Sequence, residues 1–257
     1  MVLENKKKKK RFWLVILIIA LTVFFIALYA LFKFLGVGNK ELPEEVFNTD
    51  TISQTDSQAE YAENPVDFET LQNINSDIYA WISIPSCEIE YPIIQPTYED
   101  DLYYLRRNIY RQYEYSGTIF TEKLNAKTFD DPNTVIYGHN MLNGTMFSNL
   151  LKFKDTDFFN ENEYFYIYTP DTKYTYRIFS AYQYDDRHLL NSFNLSDSKV
   201  LSEYFEEASH PKSLIVNTRE VELKNSDKIV TLSTCTGANW EYRYLVQGVL
   251  ISDEKTK

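Results

Sequence analysis

Near its C-terminus the chain reads TLSTCTGANWEYR, residues 231–243. Cys235 is the best nucleophile in this stretch, because a thiolate attacks carbonyl carbon and can hold an acyl group covalently. It ends an apolar strand-like run, KIVTLST, and is followed by Gly237 and Asn239, which favour a turn. A nucleophile at a strand exit is held rigidly while it faces a groove. His139 stands in a similar position. It follows the strand-like TVIYG at 134–138, where Gly138 permits close backbone approach. Imidazole moves protons near neutral pH. Arg243 lies beyond the turn after Cys235, so the two side chains could share one groove from neighbouring strands. There an arginine can stabilise negative charge developing on a reacting carbonyl oxygen. Each residue alone has a plainer reading: a buried cysteine, a surface histidine, a solvated or carboxylate-paired arginine.

The elements that must position these residues read as mostly β. Phe68, Leu71, Ile74 and Ile78 in 66–80 fall near helical spacing. WISIPSCEIEYPII alternates as strand around a turn at Pro85, and Cys87 in that turn reads as structural. Residues 99–112 suit one or two helical turns and 145–151 a short helix. Strands are expected at 117–120, 134–138, 164–170, 174–184, 228–235 and 242–251. Between them Leu195, Lys199 to Phe205 and Ala208 have helical periodicity, with Ser196 as N-cap and Pro211 after the end. Many short strands with few helices argue a mostly antiparallel barrel or sandwich.

The N-terminal part is different in kind. Lys6 to Arg11 is an unbroken basic run, and Phe12 to Phe32 carries no charge. That length suits a single membrane-crossing helix, with the basic flank cytoplasmic and the bulk of the chain outside. The expected organisation is a cytoplasmic segment at 1–11, an anchor at 12–32, a polar stalk at 33–64 and one domain at 65–257. A formal net charge of −11, with the basic residues concentrated at one end, argues against a nucleic-acid binder. Two cysteines permit at most one disulfide, and the histidines at 139, 188 and 210 do not form a zinc-ligand pattern. His188 and His210 read as solvated loop residues.

TLSTC at 231–235 resembles the active-site strand of the sortases, membrane-anchored cysteine transpeptidases of Gram-positive bacteria, and class B more than the others. WISIPSCEIEYPIIQ at 81–95, YYL at 103–105, GTIF at 117–120, YGHNM at 137–141 and the insertion at about 185–212 occur in that family's order. The resemblance covers roughly residues 65–253. It implies a closed eight-stranded sortase-type β-barrel with an N-terminal helix and a helix-containing insertion before the last strands. It implies Cys235, His139 and Arg243 as the catalytic set. Ser233 and Thr234 then flank the substrate groove. Read from the residues alone, Trp240 and Tyr242 either line that groove beside Cys235 or serve as aromatic packing. The Cys235–Arg243 interval is somewhat short for class B, and Thr236 stands where some relatives carry aspartate.

The activity implied is cleavage of a C-terminal NP-x-T-x-like sorting signal after threonine. A thioacyl-enzyme then passes the protein to an amino group of the peptidoglycan precursor, lipid II. The implied partners are secreted proteins bearing that signal, the precursor amine and the membrane; no cofactor and no metal are implied. The alternatives left open are a pilin-polymerising sortase, a hydrolytic cysteine peptidase and an inactive membrane-tethered binding domain.

Overall fold

The structure, a computed structural model, describes residues 13, 15–27, 46–48, 62–237 and 241–257. Residues 1–44 and 45–257 form separate compact units. In the first unit residues 15–27 are helical. Among the described residues no helix is long and apolar enough to cross a membrane. This overturns the expectation of a single-pass membrane protein with a cytoplasmic N-terminus and an external domain. Residues 1–11, and positions 12, 14 and 28–32 of the expected span, lie outside the described residues, as does most of 33–64.

The second unit begins with helix α1 (Phe68–Ile74), which buries Phe68 and Leu71 and is capped by Asp67 accepting from the Thr70 N–H. Strands β1 (Ile78–Ile84), β2 (Ile89–Ile94), β3 (Ile119–Phe120) and β4 (Asn133–Tyr137) follow. A short helix α2 (Thr156–Glu161) precedes β5 (Tyr164–Thr169) and the long β6 (Thr172–Asp185). Then come α3 (Leu189–Ser192), α4 (Ser198–Ser209), β7 (Val216–Thr218), β8 (Ile229–Cys235) and β9 (Tyr242–Lys255). The expected turns at 99–112 and 145–151 appear as 3₁₀ helices over Tyr103–Arg106 and Ser148–Lys154.

The strands pair in the order β5-β1-β2-β3-β4-β8-β9-β6, and β6 returns to β5. The result is the closed eight-stranded barrel that the resemblance implies, with α3 and α4 in the insertion before the last strands. Strand β7 adds to β6 outside the ring. Register shifts at Thr175/Tyr176 and Ile178/Ser180 let β6 bend while it follows β9 along its whole length.

Alternation gives the barrel two apolar faces. Inside, Val230, Leu232, Tyr244 and Val246 pack with Ile82, Ile93, Ile136 and Phe165. Outside, Ile229, Leu245 and Val249 are covered by Leu201, Tyr204, Phe205 and Ala208 of α4, which recur at helical spacing. Asp197, rather than Ser196, caps α4: its carboxylate accepts from the Lys199 and Val200 amides. Cys87 is fully buried in the inner core, and neither it nor Cys235 is in a disulfide.

Candidate active site

Register, rather than nearness in sequence, assembles the site on β8. On one side β4 runs parallel to β8, pairing Tyr137 with Ser233, and the ladder continues with the Gly138 N–H donating to the Ser233 carbonyl at 3.1 Å. Two further residues along that register bring His139 beside Cys235. Asn140 ties the two exits together by donating from Nδ2 to the Cys235 carbonyl at 2.9 Å. On the other side β9 runs antiparallel, and its register sets Arg243 directly opposite Cys235 and Leu245 opposite Ser233. Residues facing one another in this way project to the same face. Cys235 therefore sits between His139 and Arg243, on the outer face of the barrel.

A groove of about 340 Å³ opens on that face. Cys235, His139, Arg243 and Ser233 all line it, together with Leu105 and Arg106 from the 3₁₀ segment and Arg187, His188 and Leu189 from the insertion.

His139 is half-buried and held on two sides. Its Nε2 lies 2.8 Å from the Leu105 carbonyl. A carbonyl only accepts, so Nε2 carries hydrogen and Nδ1 is the nitrogen left to exchange a proton. The ring stacks on Tyr115 with centroids 5.9 Å apart, and the Arg106 guanidinium covers the same tyrosine at 4.7 Å. Burial pulls the His139 pKa below its ordinary value; the Leu105 carbonyl opposes this, and Arg106 adds to the lowering. The Arg243 Nη1 donates to the Tyr242 carbonyl at 3.3 Å.

Other expected contacts are placed differently. Thr234 lies between Ser233 and Cys235, so its side chain turns to the barrel interior, where the hydroxyl is buried and makes no hydrogen bond among the described residues. Thr234 nonetheless lines the groove between Ser233 and Cys235. Tyr242 alternates away from Arg243 and does not line the groove. Trp240 lies outside the described residues. His210 ends α4 beside Glu206, at 3.2 Å, away from the groove. His188, read from sequence as a solvated loop residue, lines the groove and contacts the buried Glu122 carboxylate at 2.8 Å. Glu122, Asn140 and the Leu105 carbonyl were not singled out from sequence. Asn140 stood in the quoted YGHNM, whereas Glu122 carries no local signal. Among the described residues no group of three or more His, Cys, Asp or Glu is arranged to hold a metal ion.

A closed barrel with a cysteine, a histidine and an arginine on one external groove brings together the groups that cysteine-dependent acyl transfer uses. Comparison with known proteins gives the family. The sortase domain model matches residues 82–251. The sortase B of Listeria monocytogenes is 34% identical over 184 residues, covering 71% of this chain and 73% of that protein. The crystal structure of Clostridium perfringens sortase B, 34% identical, superposes with a TM-score of 0.64 over 72% of this chain and all of its own. A class B sortase of Streptococcus pyogenes involved in pilus biogenesis, 32% identical, gives a TM-score of 0.62 over 72% of this chain and 98% of its own. The chain belongs to the sortase family. Its class B relatives make it a sortase B-type cysteine transpeptidase, an enzyme that anchors proteins carrying a sorting signal.

Proposed function

We propose that the chain cleaves an NP-x-T-x-like signal after its threonine and transfers the acyl group to an amino group of the peptidoglycan precursor. The supporting observation is the register that sets Cys235 between His139 and Arg243 in one groove. In this reading His139 Nδ1 takes the proton of the Cys235 thiol, the resulting thiolate attacks the threonyl carbonyl carbon, and the C=O electrons move onto oxygen. Arg243 stabilises that oxyanion, with backbone N–H groups. Collapse expels the amine of the next residue, which takes a proton from His139 Nδ1, and leaves a thioester on Cys235. The acceptor amine then attacks the thioester, returns a proton to His139 and frees the thiolate. Ser233, two residues before Cys235 on the same face, contacts the bound signal.

The Streptococcus pyogenes neighbour, a sortase involved in pilus biogenesis, favours one second reading with the same chemistry: a lysine amine of a pilin subunit as acceptor. The test uses the full chain, Cys235→Ala and His139→Ala with NP-x-T-x and LP-x-T-G peptides. A peptidoglycan-stem amine, a lysine peptide or no amine is supplied, and intact mass is followed. Cleavage of the NP peptide, an acyl adduct on Cys235 and product with the stem amine are expected. Product with the lysine peptide alone selects the second reading. Full activity in Cys235→Ala refutes both.

A further inference from the structure

The insertion wall of the groove is fastened to the barrel by one histidine that acts through both ring nitrogens. On the barrel side Glu122 follows β3 and is only 5% exposed. Gln95 fixes its backbone, donating from Nε2 to the carbonyls of Glu122 and Asn125, each at 2.9 Å. Glu122 lines the groove. From the insertion, His188 Nε2 reaches that carboxylate, 3.0 Å from Oε1 and 2.8 Å from Oε2.

The other ring nitrogen, Nδ1, accepts the Asn191 N–H at 3.3 Å and so caps α3. A nitrogen that accepts carries no proton, so Nε2 is the N–H of the ring and donates to the carboxylate. The Asn191 and Ser192 amides also close on the His188 carbonyl, at 3.1 and 2.9 Å. The next residue, Leu189, is buried in the outer cluster and lines the groove.

We infer that Glu122 and His188 form a strut that fixes the insertion wall, residues 186–192, against the barrel and thereby sets the width of the groove. Both are positioning residues for binding of the sorting signal, and neither takes part in the acyl-transfer step. The activity arm of this inference rests on the sortase reading above; the structural arm does not. A hydrogen bond to a buried carboxylate is charge-assisted, and without its donor that carboxylate is left desolvated and unpaired. Loss of His188 therefore frees α3 from the barrel and unpins Leu189. The Cys235 thiol is positioned by β8, β4 and β9, so a small reagent reaches it as before.

The test uses the full chain with His188→Ala, His188→Gln and Glu122→Gln. Three quantities are read: KM and kcat on the NP-x-T-x peptide with saturating amine, the rate of Cys235 alkylation by iodoacetamide, and hydrogen exchange of the Asn191 and Ser192 amides. In His188→Ala, KM is expected to rise about 10-fold with kcat within about 2-fold. Alkylation is expected to be unchanged and both amides to exchange faster. His188→Gln, whose amide N–H can still reach the carboxylate, is expected to recover most of the KM. Glu122→Gln, which retains an acceptor oxygen without the charge, is expected to shift KM and exchange in the same direction by less. An unchanged KM in His188→Ala overturns the inference, and so does a joint fall in kcat and alkylation. If the wild-type chain alkylates at Cys235 but cleaves no peptide, the sorting-signal reading fails. The strut is then judged by exchange alone, and unaltered Asn191 and Ser192 amides sink it.

Discussion

Gly138 is where the chain leaves β4 for His139, and a Cβ built there would stand 2.5 Å from Ile119 Cδ1, 2.6 Å from Phe147 Cγ and 2.7 Å from Phe147 Cδ2. Ordinary contact begins near 3.4 Å. The methyl of Gly138→Ala is therefore about 0.8 Å too close to two fully buried side chains. Neither neighbour can withdraw freely. Ile119 is registered against Ile93, and the Phe147 N–H donates to the His139 carbonyl at 2.9 Å. Displacing Phe147 thus pulls on His139 itself. Overpacking of this kind costs about 1–3 kcal/mol, and a catalytic group misplaced by about 1 Å costs on the order of 100-fold in rate. Gly138→Ala is expected to lose about 2 kcal/mol by urea denaturation and about 100-fold in kcat/KM. Adding Ile119→Val removes the nearest clashing carbon. The double variant is expected to be about 0.5–1 kcal/mol more stable than the sum of the single effects predicts. Stability within about 0.5 kcal/mol of wild type and a rate within about 3-fold would refute the reasoning, because the neighbours would then give way without moving His139.

Burial pushes the Cys87 thiol up to about 11, whereas Cys235 faces the groove. Iodoacetamide on the native chain is therefore expected to give a single adduct, at Cys235, and none in Cys235→Ala; an adduct at Cys87 refutes this. His139 has a folded pKa held below 6.5 by burial, so the unfolded chain binds its proton more readily. The stability contributed by the neutral ring is present above the unfolded value and is lost as pH falls through the lower folded one. Between about pH 7 and pH 5 wild type should lose more stability than His139→Gln in urea midpoints, and equal slopes refute the assignment. Beneath α4 the Tyr204 hydroxyl accepts from Asn133 Nδ2 at 2.9 Å and from Gln247 Nε2 at 3.2 Å. Tyr204→Phe is expected to cost about 1–3 kcal/mol in the urea midpoint while leaving Cys235 alkylation unchanged. A cost below about 0.5 kcal/mol would show that the buried amides find other acceptors.

What could be read from the sequence depended on how far each signal reached along the chain. The period-2 runs around Cys235 and Arg243 announce strands, and both residues lie on the expected ones. The same alternation also fixes the face each side chain takes. Val230 and Leu232 share a face with Thr234, and Tyr244 and Val246 share one with Tyr242. Those apolar partners mark the interior parity, so the Thr234 and Tyr242 side chains alternate away from those of Ser233, Cys235 and Arg243, while Thr234 still borders the groove. Capping was open to the same inspection: Asp197 and Ser196 are both good caps, and only helix geometry decides that Asp197 takes the two free amides. The parallel pairing of β4 with β8 had no local signature, because β4 and β8 are separated by the insertion and its helices. YGHNM and TLSTC mark both strand exits, but it is the register that makes His139 and Cys235 neighbours. Glu122 and His188 lie at the far limit of this gradient. One is a carboxylate after a two-residue strand and the other a histidine in a charged turn, and neither has a periodicity that points to the other. Their contact is a product of barrel closure, which brings the loop after β3 under the insertion that leaves β6. Tertiary pairs of this kind are invisible to pattern reading, because neither partner carries a periodicity or a neighbour that names the other.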